Sequence, residues 1–362
     1  MKYTSFVAPL TLVLLVAWQF RKNWRAVVRP LLTLTIPAVL VALPWYLKTF
    51  WFTGNPVYPF VFGGVYWDAY RANAYAAPGT GIGLDIVALL RLPHDLTLGL
   101  KDASADGQMG PFFLIFLPVI VVYVLARVGK GVTRPYNALL FFALLQYLFW
   151  MAGAISSAGL WQTRLMLPAF VALCPVLAWL LEDLARFDHP QFSLRRFVGL
   201  VIVFALVLNL VAQLAGWLAL APHRYVLGDD GRDATLNRIL GPHYTVMQDI
   251  NDLLSEDAVV AFLYEPRSYY CERDCRPDSI LDELGHLEYL YGDAAGIAAT
   301  WRQQGVTHVL IFDAGYNFVV VTELASALPQ DLTLMETLKT DWLEPVMAWE
   351  TGYSLYVVPP VQ

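Results

Sequence analysis

The chain has 362 residues, 57% hydrophobic and 15% charged, with a mean hydropathy of +0.51 and a formal net charge of −6. Soluble domains carry about 25% charged residues, so this composition excludes an ordinary soluble protein. The charge is also divided, because residues 1–221 hold 16 Lys and Arg against 8 Asp and Glu, whereas 222–362 hold 8 against 22. Such a split describes one part solvated by lipid and one by water, and the missing basic stripe with interleaved aromatics argues against nucleic acid as a partner.

In chain order, about six apolar segments can be read: Tyr3–Phe20, Pro30–Leu47, Pro111–Ala126, Ala138–Ile155, Leu165–Leu181 and Phe197–Ala221. Each approaches the roughly 20 residues that a bilayer requires, the shorter ones relying on neighbours or snorkelling ends. Arg21, Lys22, Arg25 and Arg29 separate the first two segments. Arg127, Lys130 and Arg134 lie between the third and fourth, and Arg186, Arg195 and Arg196 between the fifth and sixth. The bias of cations toward cytoplasmic loops places all three short loops inside. The long loop 48–110, residues 156–164 and the acidic tail then face the extracytoplasmic side of a multi-pass cell-membrane protein. On this topology the first helix starts outside with only Met1 and Lys2 before it. That arrangement points to the C-terminal part of a longer polytopic protein, the alternative being an N-out first helix inserted as it stands.

The expected fold is therefore an α-helical polytopic membrane domain, 1–221, followed by a small extracytoplasmic α/β domain, 222–362. In the tail, Tyr244–Leu254, Leu281–Leu290 and Ala294–Gln304 read as helices, the last closed by Gly305. Ala258–Leu263, Val306–Phe312 and Tyr353–Val358 read as strands, and this alternation predicts an α/β domain. No Gly-rich phosphate loop, nucleophile elbow or metal-binding His/Cys spacing is present, so neither cofactor nor metal is expected. Cys271 and Cys275 sit in YYCERDC. An oxidising compartment favours a disulfide there, with free thiols and a metal site as alternatives. Cys174 reads as a packing residue of the fifth helix. Glu265 and Arg267 follow a strand end, where a Glu–Arg pair holding the loop competes with a functional role. His308, inside VTHVLIF, reads as a core histidine.

The loop 46–110 opens with YLKTFWFTGNPVYPFVFGGVYWDAYR. Gly54-Asn55-Pro56 is a turn signal. Trp51, Phe52, Tyr58, Phe60, Tyr66 and Trp67 suit an interfacial aromatic belt. They equally suit a platform for a lipid-linked or sugar substrate, with Lys48, Asn55 and Arg71 toward polar headgroup atoms. Arg164, in LWQTRLMLP, stands at the outer start of the fifth helix, against the positive-inside bias. It either snorkels to the headgroups or binds a lipid phosphate through its planar fork. Lys2 occupies a similar position before the first helix.

KYTSFVAPL, WYLKTFWFTGNPVYPF and TRLMLP before a helix resemble polytopic membrane glycosyltransferases of the GT-C class. The likeness is to bacterial members related to protein mannosyltransferases and lipid A aminoarabinose transferases. AFLYEPRSYYC followed by QQGVTHVLIF is similar to the C-terminal domain of many of them. The resemblance implies a hexosyltransferase of the cell envelope that takes sugar from a polyprenyl-phosphate-linked donor at the extracytoplasmic face. It also implies substrate contacts at Arg164, Lys2, Lys48, Asn55 and Tyr58. The family's catalytic acid lies in a first extracytoplasmic loop that has no counterpart here, so catalysis by this chain alone is in doubt and its catalytic residue is not assigned. Inverting transfer needs a base near the acceptor and cations on the leaving phosphate. The sequence offers the cations, and Asp68 is the best remaining loop acid. The competing reading is a non-catalytic membrane scaffold or sensor whose exported domain binds a ligand or partner. Transport is disfavoured, because the helices lack the buried ionisable residues that mark transport pathways. The oligomeric state stays open.

Overall fold

The computed structural model describes residues 6–59, 62–76, 81–98, 100, 116, 118, 120, 121, 125, 134–157, 160–321 and 332–360. Its helices, in chain order, begin with α1 (Val7–Gln19), α2 (Trp24–Thr53), α3 (Ala69–Ala76) and α4 (Ile86–Leu98). They continue with α5 (Arg134–Ser156), α6 (Leu167–Asp183) and α7 (Leu194–Leu220). The chain divides into two compact units, Met1–Tyr66 with Pro78–Gln213, and Trp67–Ala77 with Leu214–Gln362. Thus residues 67–77, which the sequence places inside the long loop, belong with the C-terminal unit.

Among the described residues, four helical stretches are long and apolar enough to cross a membrane: Arg25–Thr53, Tyr136–Ser156, Thr163–Phe187 and Leu194–Leu220. They coincide with the second, fourth, fifth and sixth apolar segments of the sequence. The first segment contains α1, at 13 residues a shorter apolar helix. Of the third, only residues 116, 118, 120, 121 and 125 are described. Apolar side chains along α2 and α7 are exposed rather than cored, as lipid-facing helices require. Three prolines interrupt the α2 ladder, at positions 30, 37 and 44. Thr33, Thr49 and Thr53 meanwhile donate their hydroxyls to carbonyls four residues back, at 2.9, 2.9 and 2.7 Å. Such side-chain bonds keep polar groups satisfied where water is scarce.

The core of the first unit lies where α5 and α6 pack. Ala143, Ala154 and Ala169 are buried there among Leu173, Val176, Leu177 and Leu180, joined by Leu92 and Leu96 of α4. Small residues let membrane helices approach closely. Two indoles hold the turn between α5 and α6, since Trp150 Nε1 donates to Leu160 O at 2.9 Å and Trp161 Nε1 to Ala154 O at 3.1 Å. Pro168 occupies the first turn of α6, directly after a short 3-10 turn over Thr163–Met166. A helix has no amide bond to lose at that position. Proline therefore suits the start of this helix. Cys174 likewise lies on an exposed face of α6, with its thiol toward Phe170 O at 3.4 Å, rather than inside packing.

In the second unit the chain continues through α8 (Pro222–Val226), α9 (Arg232–Leu240), α10 (Pro242–Leu253), α11 (Glu283–Tyr291), α12 (Ala294–Gln303), α13 (Asp313–Val321) and α14 (Leu332–Thr337). Five strands, β1 (Val259–Leu263), β2 (Asp274–Arg276), β3 (His308–Phe312), β4 (Glu344–Trp349) and β5 (Tyr353–Val357), form one mixed sheet of order β2-β1-β3-β5-β4. The pairs β1–β2 and β1–β3 are parallel, and β3–β5 and β4–β5 antiparallel. Successive side chains of a strand face opposite ways. Ala261, Leu263, Val309 and Ile311 enter one core with Leu284, Ile297 and Trp301. Val260, Phe262 and Leu310 enter the other with Val246, Met247 and Ile250 of α10. Burial on both faces explains why AVVAFL and VTHVLIF read as continuous apolar runs. The two edges differ: β2 has three residues, and β4 is largely exposed, carries Pro345 and is bulged between Pro345 and Met347. Cys275, the middle residue of β2, forms a disulfide with Cys271, their Cα atoms 6.2 Å apart.

Candidate functional site

The GNPVYPF turn is built from the end of α2 outward. Gly54 closes that helix in the left-handed region, φ 73°, and its N–H donates to Phe50 O. Asn55 follows, 2% exposed. Its Nδ2 donates to Gly63 O at 2.6 Å, and its Oδ1 accepts from Val57 N at 2.8 Å. Both ends of the amide thus face the turn itself, so Asn55 shapes the loop rather than presenting a group to a headgroup. The half-buried Tyr58 packs its ring against Gly64, where a Cβ would stand 2.9 Å from Tyr58 Cδ2. Around this closed turn Trp51, Phe52, Phe62 and Tyr66 are exposed.

The other expected contacts stand separately. Lys48 is exposed on α2, with Nζ 5.7 Å from the centre of the Trp45 ring. Arg164 is exposed in the 3-10 turn before α6, where its Nε donates to Gln162 Oε1 at 3.0 Å. Lys2 and Phe60 lie outside the described residues. The structure therefore joins Asn55 and Tyr58 in one turn and leaves Lys48 and Arg164 at their own helix ends.

Asp68 and Arg71 acquire partners that the sequence reading lacks. Asp68 caps α3, its Oδ1 accepting from Arg71 N at 3.1 Å. Its Oδ2 lies 2.7 Å from His286 Nε2 on α11. One helical turn on, Arg71 Nε and Nη2 donate to the two oxygens of Asp282 at 2.8 and 2.9 Å, and Nη2 also reaches Glu283 Oε2 at 3.1 Å. Asp282 is fully buried, and the bidentate fork is what makes that tolerable. Tyr70 stacks on Tyr289 with centroids 5.1 Å apart and lies 5.6 Å from the His286 ring. Burial works to raise the Asp68 pKa, but the His286 and Arg71 N contacts prevail and hold it below the usual carboxylate value. The Asp68–His286 contact fixes the orientation of the imidazole on α11. The spacing of Asp282 and His286 in DELGHLEY marks one face of α11 and is the signal that could have found them.

A second network closes the carboxyl end of β1. Glu265, fully buried, accepts from Arg267 N at 2.9 Å, from Arg267 Nε and Nη2 at 2.8 Å each, and from Tyr353 OH at 2.5 Å. His243 Nδ1 lies 3.5 Å away. Burial opposes its charge, yet the donors from Arg267, His243 and Tyr353 outweigh that and bring its pKa down to about 2. The preceding residue, Tyr264, has φ 62°, and a Cβ on Gly315 would meet Tyr264 O at 2.3 Å, so only glycine fits beside this turn. Next along, burial pushes the Asp278 carboxyl up to about 7 against the Tyr264 N and Glu283 N donors.

With this geometry in hand, comparison with protein families, curated proteins and solved structures finds no match. Among the described residues, the structure by itself supports four long apolar helices followed by an α/β domain. No group of three or more His, Cys, Asp or Glu suited to a metal ion occurs among the described residues.

Proposed function

We propose that the chain is a membrane glycosyltransferase component that handles a polyprenyl-phosphate-linked sugar at the extracytoplasmic face. On this reading it has about six spanning segments, cytoplasmic basic loops and an extracytoplasmic α/β domain. One observation carries the reading: the GNPVYPF turn, on which the GT-C resemblance chiefly rests, is a closed turn on the end of an apolar span. Exposed Trp51, Phe52, Phe62 and Tyr66 flank it. Rings at the end of a span lie at the headgroup level, where a lipid-linked sugar is presented, and their faces suit sugar rings. Arg164, exposed at the start of Thr163–Phe187, supplies the planar fork for the lipid phosphate. Lys48 supplies further positive charge.

The test is binding of a polyprenyl phosphate to the purified chain in nanodiscs, with transfer of labelled sugar followed in parallel. A charge-assisted hydrogen bond contributes roughly 1.5–3 kcal/mol, so Arg164→Gln should weaken binding by about one to two orders of magnitude. Arg164→Lys should fall between, keeping charge but losing the fork. Equal affinity for all three folded proteins would return Arg164 to snorkelling. Sugar transfer by this chain alone is expected to be undetectable, and turnover would make Asp68→Asn the next variant.

A second reading, a membrane scaffold or sensor without catalysis, draws on a specific observation. Asp68, the best acid of the loop, uses one oxygen to cap α3 and the other to hold His286.

A further inference from the structure

The last turn of α7 and the residues after it are joined by side-chain bonds. Arg238 on α9 reaches back to the end of α7, with Nε donating to Leu220 O at 2.9 Å and Nη2 to Ala221 O at 3.4 Å. It therefore caps carbonyls that a helix end leaves orphaned, from the side where the helix dipole favours a cation. Nη2 also pairs with Asp230 at 2.6 Å, and Arg224 pairs with the other Asp230 oxygen at 3.1 Å. Ala221 takes the left-handed conformation, φ 44° and ψ 47°, which turns the chain sharply into α8. His223 then stacks on Trp217 with centroids 4.6 Å apart. Trp217 belongs to the final turn of α7, so α8 lies level with that turn instead of rising beyond it.

At this level the chain displays three consecutive apolar side chains. Tyr225 is 51% exposed, Val226 81% and Leu227 73%. They sit on a stapled loop, because Leu227 N donates to His223 O at 2.9 Å, and Asp229 N and Asp230 N both donate to Arg224 O at 2.8 and 3.1 Å. The neighbouring Arg224 and Arg238 share the one Asp230 carboxylate, while Arg224 and Asp229 at the base of the loop stay exposed, so charged groups flank the apolar tip where headgroups would meet them.

We propose that Tyr225, Val226 and Leu227 form a wedge inserted into the headgroup–acyl boundary of the bilayer that α7 spans, docking the C-terminal unit on the lipid surface. Three observations select lipid as the occupant. The wedge is continuous with α7, none of whose side chains is buried. The Trp217–His223 stack sets its depth at the helix's last turn, within the zone where amphipathic segments and tryptophans settle. The stapled backbone lets the apolar tip enter without exposing unpaired amides.

The experiment uses the full chain with Cys174→Ala and a single added cysteine, Leu227→Cys, or Val226→Cys beside it. Labelling with an environment-sensitive fluorophore is done under non-reducing conditions, so that Cys271 and Cys275 stay linked. The protein is reconstituted in phosphatidylcholine–phosphatidylglycerol vesicles. Thr351→Cys, in the exposed β4–β5 turn, is the reference. The wedge labels should lose fluorescence when the vesicles carry a nitroxide near the top of the acyl chain and resist aqueous iodide, with the reverse at residue 351. Iodide quenching at 226 and 227 equal to that at 351 would overturn the proposal. Protection from both quenchers would overturn it as well, since a protein surface would then cover the wedge.

Discussion

Glu265 is a carboxylate whose charge the fold has arranged to keep. The Glu–Arg pair is visible in the sequence because Glu265 and Arg267 stand two apart. Tyr353, 88 residues on, is brought in only by the pairing of β5 with β3. The sign of the pH effect follows from the lowered pKa. An unfolded glutamate titrates near 4.3, so stability from ionised Glu265 is fully present above that value and is lost as pH falls through about 2. Glu265→Gln should lower stability at neutral pH by roughly 1.5–3 kcal/mol, the range for hydrogen bonds to charged groups. It should also flatten the acid limb between about pH 4.3 and 2. Thermal unfolding of the purified chain, followed by tryptophan fluorescence across that range, measures both, and an unchanged acid limb would show that other carboxylates set it. Asn55 teaches a related lesson: the Gly-Asn-Pro signal locates a turn, but only the fold reveals that the amide closes on Gly63.

At the scale of elements, α3 is the least expected piece of the molecule. Its residues AYRANAYA give no apolar stripe, and nothing in the loop announces a dock on α11. What fixes it is the ladder Asp68–His286 and Arg71–Asp282, formed by residues more than 200 positions apart. Helices and strands of the tail are legible where burial imposes a period or an apolar run, as in α10, β1 and β3. The short, exposed β2 and β4 carry no such pattern and escape detection. Arg71→Met tests the ladder. It removes the guanidinium that bonds both oxygens of Asp282, and breaking such a buried pair costs about 3–5 kcal/mol. Arg71→Lys should recover only part of this, for lack of the fork. Thermal unfolding gives the magnitude, and hydrogen exchange over Glu283–Tyr291 should rise in the Met variant; unchanged protection there would deny α3 its role as a clamp.

For the whole molecule, the division into an apolar and an acidic part is plain in composition, since hydropathy over some 20 residues needs no tertiary knowledge. The four long spans follow from it. The assignment of 67–77 to the C-terminal unit does not, because it rests on specific charges rather than on average hydropathy. Orientation is a separate expectation, resting on the basic loops. Reporter fusions at Val128 and Phe192 should behave as cytoplasmic and those at Gly81 and Gly315 as external. A cytoplasmic signal at Gly315 would invert the topology and remove Arg164 from the face where the lipid-linked sugar is proposed to bind.

The two edges of the sheet have a consequence for life in a plane. Proteins confined to a membrane diffuse in two dimensions with their domains held at one height, so copies collide edge to edge far more often than in bulk. Strand edges facing each other at such frequency invite polymerisation. Here β2 offers only three residues, while Pro345 removes an amide from β4 and the adjacent bulge spoils its register. Copies of this domain can therefore crowd together without zipping their sheets into one.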